Sequence, residues 1–159
     1  MAELWRGAGI NAGDTGSWVS AGFVLDAAVA WKQVGIAPGE AVAWRQNGFD
    51  PNEAKGWREQ ALDASTAGKW KIAGFTPAKS KAWRDVGADV ASIGSCGRGG
   101  RRPDQVIQEF KKRPFFKKRG LDKEQMLFYC ARNMSARDAE NYEIKNAQDA
   151  AKNAKETAR

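Results

Sequence analysis

Seven tryptophans stand on one fixed step: Trp5, Trp18, Trp31, Trp44, Trp57, Trp70 and Trp83, each 13 positions after the last. Such a series does not arise by chance, so residues 5–95 read as about seven tandem copies of a 13-residue unit. The clearest copies are WKQVGIAPGEAVA (31–43), WRQNGFDPNEAKG (44–56) and WKIAGFTPAKSKA (70–82). A basic residue follows Trp in six copies, as Arg6, Lys32, Arg45, Arg58, Lys71 and Arg84, with Val19 as the exception. Four residues after Trp stands Gly9, Gly22, Gly35, Gly48, Gly74 or Gly87, and in one copy Ala61. An apolar residue comes next, then in five copies Asn11, Asp50, Asp63, Thr76 or Asp89, and in three copies Pro38, Pro51 or Pro77.

These columns are helix punctuation. Asp, Asn or Thr can cap free N–H groups, and Pro at the first helical position forfeits no hydrogen bond. Gly past the last turn takes the left-handed conformation, so Gly48 and Gly74 are predicted to have positive φ. Lys or Arg in the last turn and Glu40 or Glu53 in the first suit the helix dipole. One continuous helix is excluded, because 13 residues advance roughly 1,300° and would leave each Trp about 220° out of phase with the last. Each unit is therefore one helix of about ten residues, for example Pro51 to Gln60, with Pro51, Ala54 and Trp57 on one stripe. So short a helix is unstable alone. Neighbouring units must stack around their Trp rings, which makes the seven tryptophans structural. The predicted fold is all-α: a tandem short-helix repeat array, solenoid or compact bundle, followed by a small basic helical module. The cations after Trp admit two readings, a complement to the helix dipole or a ladder for an acidic polymer.

The pattern W-R-x-x-G-F-x-P-x-x-A-x-x-W resembles short tandem helical repeats of assorted bacterial proteins, some encoded on mobile elements. The resemblance covers residues 5–90 and implies an all-α bacterial scaffold in a plasmid or phage setting; it implies no activity. Two adjacent units also resemble a helix-turn-helix, although their helix starts carry Pro, Asn and Glu rather than the basic and amide side chains of a reading helix.

Charge divides the chain. Of a formal +7, residues 1–94 contribute nothing (10 basic, 10 acidic), and residues 95–159 contribute all of it (16 basic, 9 acidic). Nine cations lie within residues 98–119 against only Asp104 and Glu109. The predicted organisation is a repeat module over 1–93, a Gly/Arg linker over 94–103 and a basic helical module over 104–159. In the linker, Arg98-Gly99-Gly100-Arg101 resembles an RGG-type segment. Asp104 is placed to cap a helix running to about Lys112. KKRPFFKKR (111–119) then gathers six cations around Phe115 and Phe116. A helix with Met126, Leu127 and Cys130 on its inner face follows, and a polar one over roughly 136–157 closes the chain. The candidate nucleic-acid-binding residues are Arg98, Arg101, Arg102, Lys111, Lys112, Arg113, Phe115, Phe116, Lys117, Lys118 and Arg119. Cations neutralise phosphates, and Phe rings can stack on unpaired bases. A solvated charge run with the Phe pair in the core, or a nuclear-localisation signal, would carry the same residues.

Other chemistries lack their residues. The chain has no histidine, so a His base, a His triad and a His-ligated metal are excluded. Two cysteines, Cys96 and Cys130, are too few for a zinc site of cysteines alone or a stapled secreted scaffold. They read as thiols in a reducing compartment, with Cys130 buried on a helix face. The Pro103-Asp104, Glu109, Lys111 string resembles a nuclease site, but its carboxylates lie within one expected helix. No cofactor or catalytic residue is assigned. The start is not a signal peptide and no segment is apolar enough to span a membrane. The expectation is a cytoplasmic, non-enzymatic nucleic-acid-binding adaptor whose repeat array docks a protein partner. The rival is a protein-interaction or inhibitor module whose basic segment meets an acidic protein surface.

Overall fold

A computed structural model describes residues 2–97 and 100–158. Among them there is no strand; the fold is all-α, as predicted. Seven helices realise the repeats: α1 (Ala2–Gly7), α2 (Ala12–Ser20), α3 (Leu25–Gln33), α4 (Pro38–Gln46), α5 (Pro51–Arg58), α6 (Ala64–Ile72) and α7 (Pro77–Asp85). After a 3-10 turn at Gly94–Gly97 come α8 (Pro103–Lys111), α9 (Pro114–Arg119), α10 (Lys123–Ala131) and α11 (Ala136–Thr157). The chain forms two compact units, Met1–Lys71 and Ile72–Arg159. The seventh repeat helix thus belongs to the same unit as the basic helices.

Six repeat helices, α1 to α5 and α7, end in one motif. The N–H five residues after Trp donates to the Trp carbonyl (Phe23 to Trp18 at 3.0 Å, Phe49 to Trp44 at 3.1 Å), and the Gly N–H donates to the residue after Trp (Gly48 to Arg45 at 3.0 Å). This is the Schellman arrangement, and it requires the left-handed backbone seen at Gly48 (φ 77°) and Gly74 (φ 86°). The helices are shorter than predicted. α5 stops at Arg58 because its last bonds tighten to a 3-10 pattern, Gln60 N–H to Trp57 O at 3.0 Å.

Every repeat Trp is buried, none more than 6% exposed. The apolar residue of the turn lies between its own Trp and the next: Phe49 meets Trp44 edge-on at 5.1 Å and Trp57 at 6.2 Å, and Phe23 does the same with Trp18 and Trp31. Ala28, Ala41, Ala54 and Ala67, three residues before Trp, are fully buried and leave room for the indole.

The repeat continues past the last Trp in altered dress. Tyr129 lies 13 residues after Phe116 and 13 before Tyr142. Asn133 (φ 61°) replaces Gly, and Met134 N–H donates to Tyr129 O at 3.0 Å, which reproduces the Schellman end. Ser135 then caps α11, and Ala139 takes the fully buried place of Ala54. Gly120 (φ 79°), Leu121 and the cap Asp122 repeat the pattern after Phe116.

Four local expectations change. The cysteines are not free: Cys96 and Cys130 form a disulfide with Cα atoms 5.3 Å apart. Within the stretch expected to link modules, the described glycines are closely packed: a Cβ on Gly97 would stand 2.8 Å from Phe75 Cζ, and one on Gly100 would stand 2.9 Å from Gly74 O. The N-cap of α8 is Arg102, not Asp104, because Pro103 takes the first helical position. On α10 the buried partner of Met126 and Cys130 is Tyr129, with Leu127 half-buried.

Candidate nucleic-acid interface

The basic residues divide into cations engaged by the fold and cations left at the surface. The first group includes the regular cations of the repeat. Lys32 donates to Gly9 O, Arg45 to Gly22 O (3.1 Å) and Ala21 O (3.2 Å), Arg58 to Gly35 O (2.9 Å) and Lys71 to Gly48 O (2.8 Å). Each reaches back 23 residues, from one helix to the end of the helix two units earlier. The cation meets the partial negative charge of that helix terminus. Arg45 also covers the Phe23 ring at 4.2 Å and Lys71 the Phe49 ring at 4.6 Å, while Glu40 pairs with Arg58 and Glu53 with Lys71. Of the two readings of these cations, the dipole complement describes these four.

In the second unit, three candidate arginines are also engaged. Arg101 pairs with Glu109, and its carbonyl accepts from Trp83 Nε1 at 2.6 Å. Arg102 forms a fork with Asp104 at 2.9 and 3.0 Å, which holds that carboxyl below its ordinary range. Arg113 pairs with Glu140, a nearly enclosed carboxylate on α11 that also accepts the Phe115 N–H at 3.0 Å. That backbone hydrogen bond, then the Arg113 guanidinium, holds the Glu140 carboxyl below its usual range against the opposing effect of desolvation. Arg98 lies outside the described residues.

The two phenylalanines part company. Phe116 is 2% exposed, enclosed by Phe110 at 5.7 Å and Tyr129 at 5.6 Å, and presents no face for a base. As the aromatic of a disguised repeat unit, it belongs to the core. Phe115 is half-buried, with the Arg119 guanidinium 4.8 Å over its ring. Lys111, Lys112, Lys117, Lys118 and Arg119 are exposed, at the C-terminal ends of α8 and α9, with no ion pair among the described residues. Beside them, Pro114, Phe115, Lys118, Arg119, Glu140 and Ile144 line a hollow of about 300 Å³.

Sequence reasoning missed the ionic tie of Glu140 and the core role of Phe116. The signal for the second was the 13-residue spacing of Phe116, Tyr129 and Tyr142. Among the described residues no group of three or more His, Cys, Asp and Glu could hold a metal ion, and no helix is long and apolar enough to cross a membrane. No family model, curated protein or solved structure matches the chain.

Proposed function

We propose that the protein is a non-enzymatic nucleic-acid-binding adaptor, with the surface of α8 and α9 on phosphates and the repeat array as scaffold or docking surface. The observation that carries this reading is the set Lys111, Lys112, Lys117, Lys118 and Arg119, exposed and without acidic partners among the described residues, in a unit with 19 basic and 11 acidic side chains. Binding of this kind is phosphate-based and blind to sequence. With Phe116 enclosed and Phe115 under Arg119, base stacking adds little. A mobile-element setting, implied by the sequence resemblance, is part of the same proposal. A cytoplasmic site of action stands against the disulfide, because such bonds are rare where cellular thiols hold cysteines reduced.

Fluorescence anisotropy against labelled duplex and single strands tests the reading. With about five cations on phosphates, log K should fall with log salt at a slope of roughly −4.5 for duplex and −3.5 for single strand. Replacing Lys117, Lys118 and Arg119 with Gln should weaken binding equally for all sequences and flatten the slope. Phe115→Ala should change single-strand affinity by less than the ~1–3 kcal/mol that a stacked base contributes. No binding at about 50 mM salt by the folded protein would remove the proposal. The second reading, docking on an acidic protein surface, is favoured by one observation: Ile144, 41% exposed, lies in the hollow beside Lys118 and Arg119 and joins an apolar contact to the cations.

A further inference from the structure

A second feature of the C-terminal unit lies between α7 and α8: a groove of about 640 Å³, within the range of small-molecule sites. One wall is the face of α7 formed by Ala78 and Ala82 and continued by Val86, the residue that caps its end, at a spacing of four, and the facing wall is Pro103 and Ile107 of α8. The cations Lys79, Arg102 and Lys123 border these apolar walls. One acid, Asp104, faces the groove with them and is held in its fork with Arg102. Lys79 and Lys123 have no ion pair among the described residues.

The repeat columns make this groove a local departure. Three residues after the N-cap the other copies carry Asp14, Ala27, Glu40, Glu53 and Thr66; α7 carries Lys79. Lys79 lies in the first turn of α7 and Lys123 opens α10, both places where the helix dipole disfavours a cation. Their charges and the positive helix ends therefore add at one place. Lys79 lies against the backbone at Gly100, where a Cβ would come within 3.2 Å of its Nζ. The groove contains no aromatic ring on which a nucleobase could stack.

We propose that this groove binds an aliphatic carboxylate, its apolar chain lying along Ala78, Ala82, Val86 and Ile107 and its carboxylate meeting Lys79 and Lys123. The site is separate from the exposed cations at the ends of α8 and α9. The aliphatic walls match an alkyl chain, and two unpaired cations beside an already neutralised Arg102–Asp104 pair match one anionic head.

Isothermal titration of the full chain with decanoate tests it, with decanol (same chain, no charge) and acetate (same charge, no chain) as controls. Decanoate should saturate at one equivalent below its micellar concentration, with decanol and acetate at least tenfold weaker. The double variant Lys79→Gln, Lys123→Gln should weaken decanoate at least tenfold, and Ala78→Phe, which fills the groove and leaves its charges in place, should do the same. The three-ligand comparison uses the unaltered protein, so it decides the matter even if a variant fails to fold. Equal affinity for decanol and decanoate, no saturable binding by the folded protein, or binding indifferent to the folded lysine variant would each overturn the proposal.

Discussion

At the scale of single residues, the left-handed turn position is the most exacting in the repeat. Gly fills it in six copies, and Ala61 holds the same conformation at φ 56°. A Cβ in this region costs about 1–2 kcal/mol. The strain coincides with a slack bond: Leu62 N–H to Trp57 O is 3.4 Å, against 2.9–3.1 Å in the other copies of the repeat with this bond. Ala61→Gly should therefore stabilise the protein by about 0.5–1 kcal/mol once the extra freedom of unfolded glycine is subtracted. The check is a higher urea midpoint with an unchanged slope. Gly48→Val should do the reverse by more than ~1 kcal/mol, because a β-branched residue is especially disfavoured there. If both variants melt with the wild type, the turn does not limit stability.

At the scale of elements, α9 shows what a short helix needs. It has six residues, three cations in its last turn and no side-chain cap of its own. Its start is held from α11, by Glu140 accepting from Phe115 N–H and pairing with Arg113. The Glu140 carboxyl is lowered in the folded state, so its stabilising contribution is present above the unfolded value near 4.3 and is lost as pH falls through the folded value. Glu140→Gln should melt earlier than wild type at pH 7, and the gap should narrow as pH falls through the folded value of Glu140, below which both side chains are neutral. A gap that persists unchanged in acid would show that the tie is not ionic. This tie was not legible in the sequence, since it joins Arg113 to a residue 27 positions away. The repeat helices were legible because Trp marks the period and Gly, cap and Pro mark each boundary within 13 residues. The disguised units were not, because Phe116 and Tyr129 replace Trp and fall out of step with the series that ends at Trp83. The surface cations were legible as charge, but a linear count of charge could not separate the engaged Arg101, Arg102 and Arg113 from Lys117 and Lys118.

At the scale of the whole molecule, charge and covalent restraint collect in one unit. Residues 1–71 hold 7 basic and 8 acidic side chains, so the excess positive charge lies entirely in the second unit. That unit must tolerate its own repulsion, a cost of compactness that grows as salt falls. The Cys96–Cys130 bond opposes it by tying the turn after the last Trp repeat to α10. Neither cysteine sits in a motif, and a separation of 34 residues carries no geometry by itself, so the pairing emerged only with the fold. Closing a loop of that length removes unfolded-state entropy worth about 3–4 kcal/mol in the chain-entropy model. Both cysteines are enclosed, Cys96 at 5% and Cys130 at 0% exposure, so the bond should resist reductant until the unit opens. Denatured but unreduced protein should take up no iodoacetamide. Cys96→Ala with Cys130→Ala should lower the stability of this unit by about 3–4 kcal/mol, and the loss should be felt most at low salt, where the cations of α8 and α9 repel one another hardest. Alkylation of both cysteines before reduction would show the bond absent, and a double variant as stable as the parent would show that the Trp-type core alone holds the unit closed.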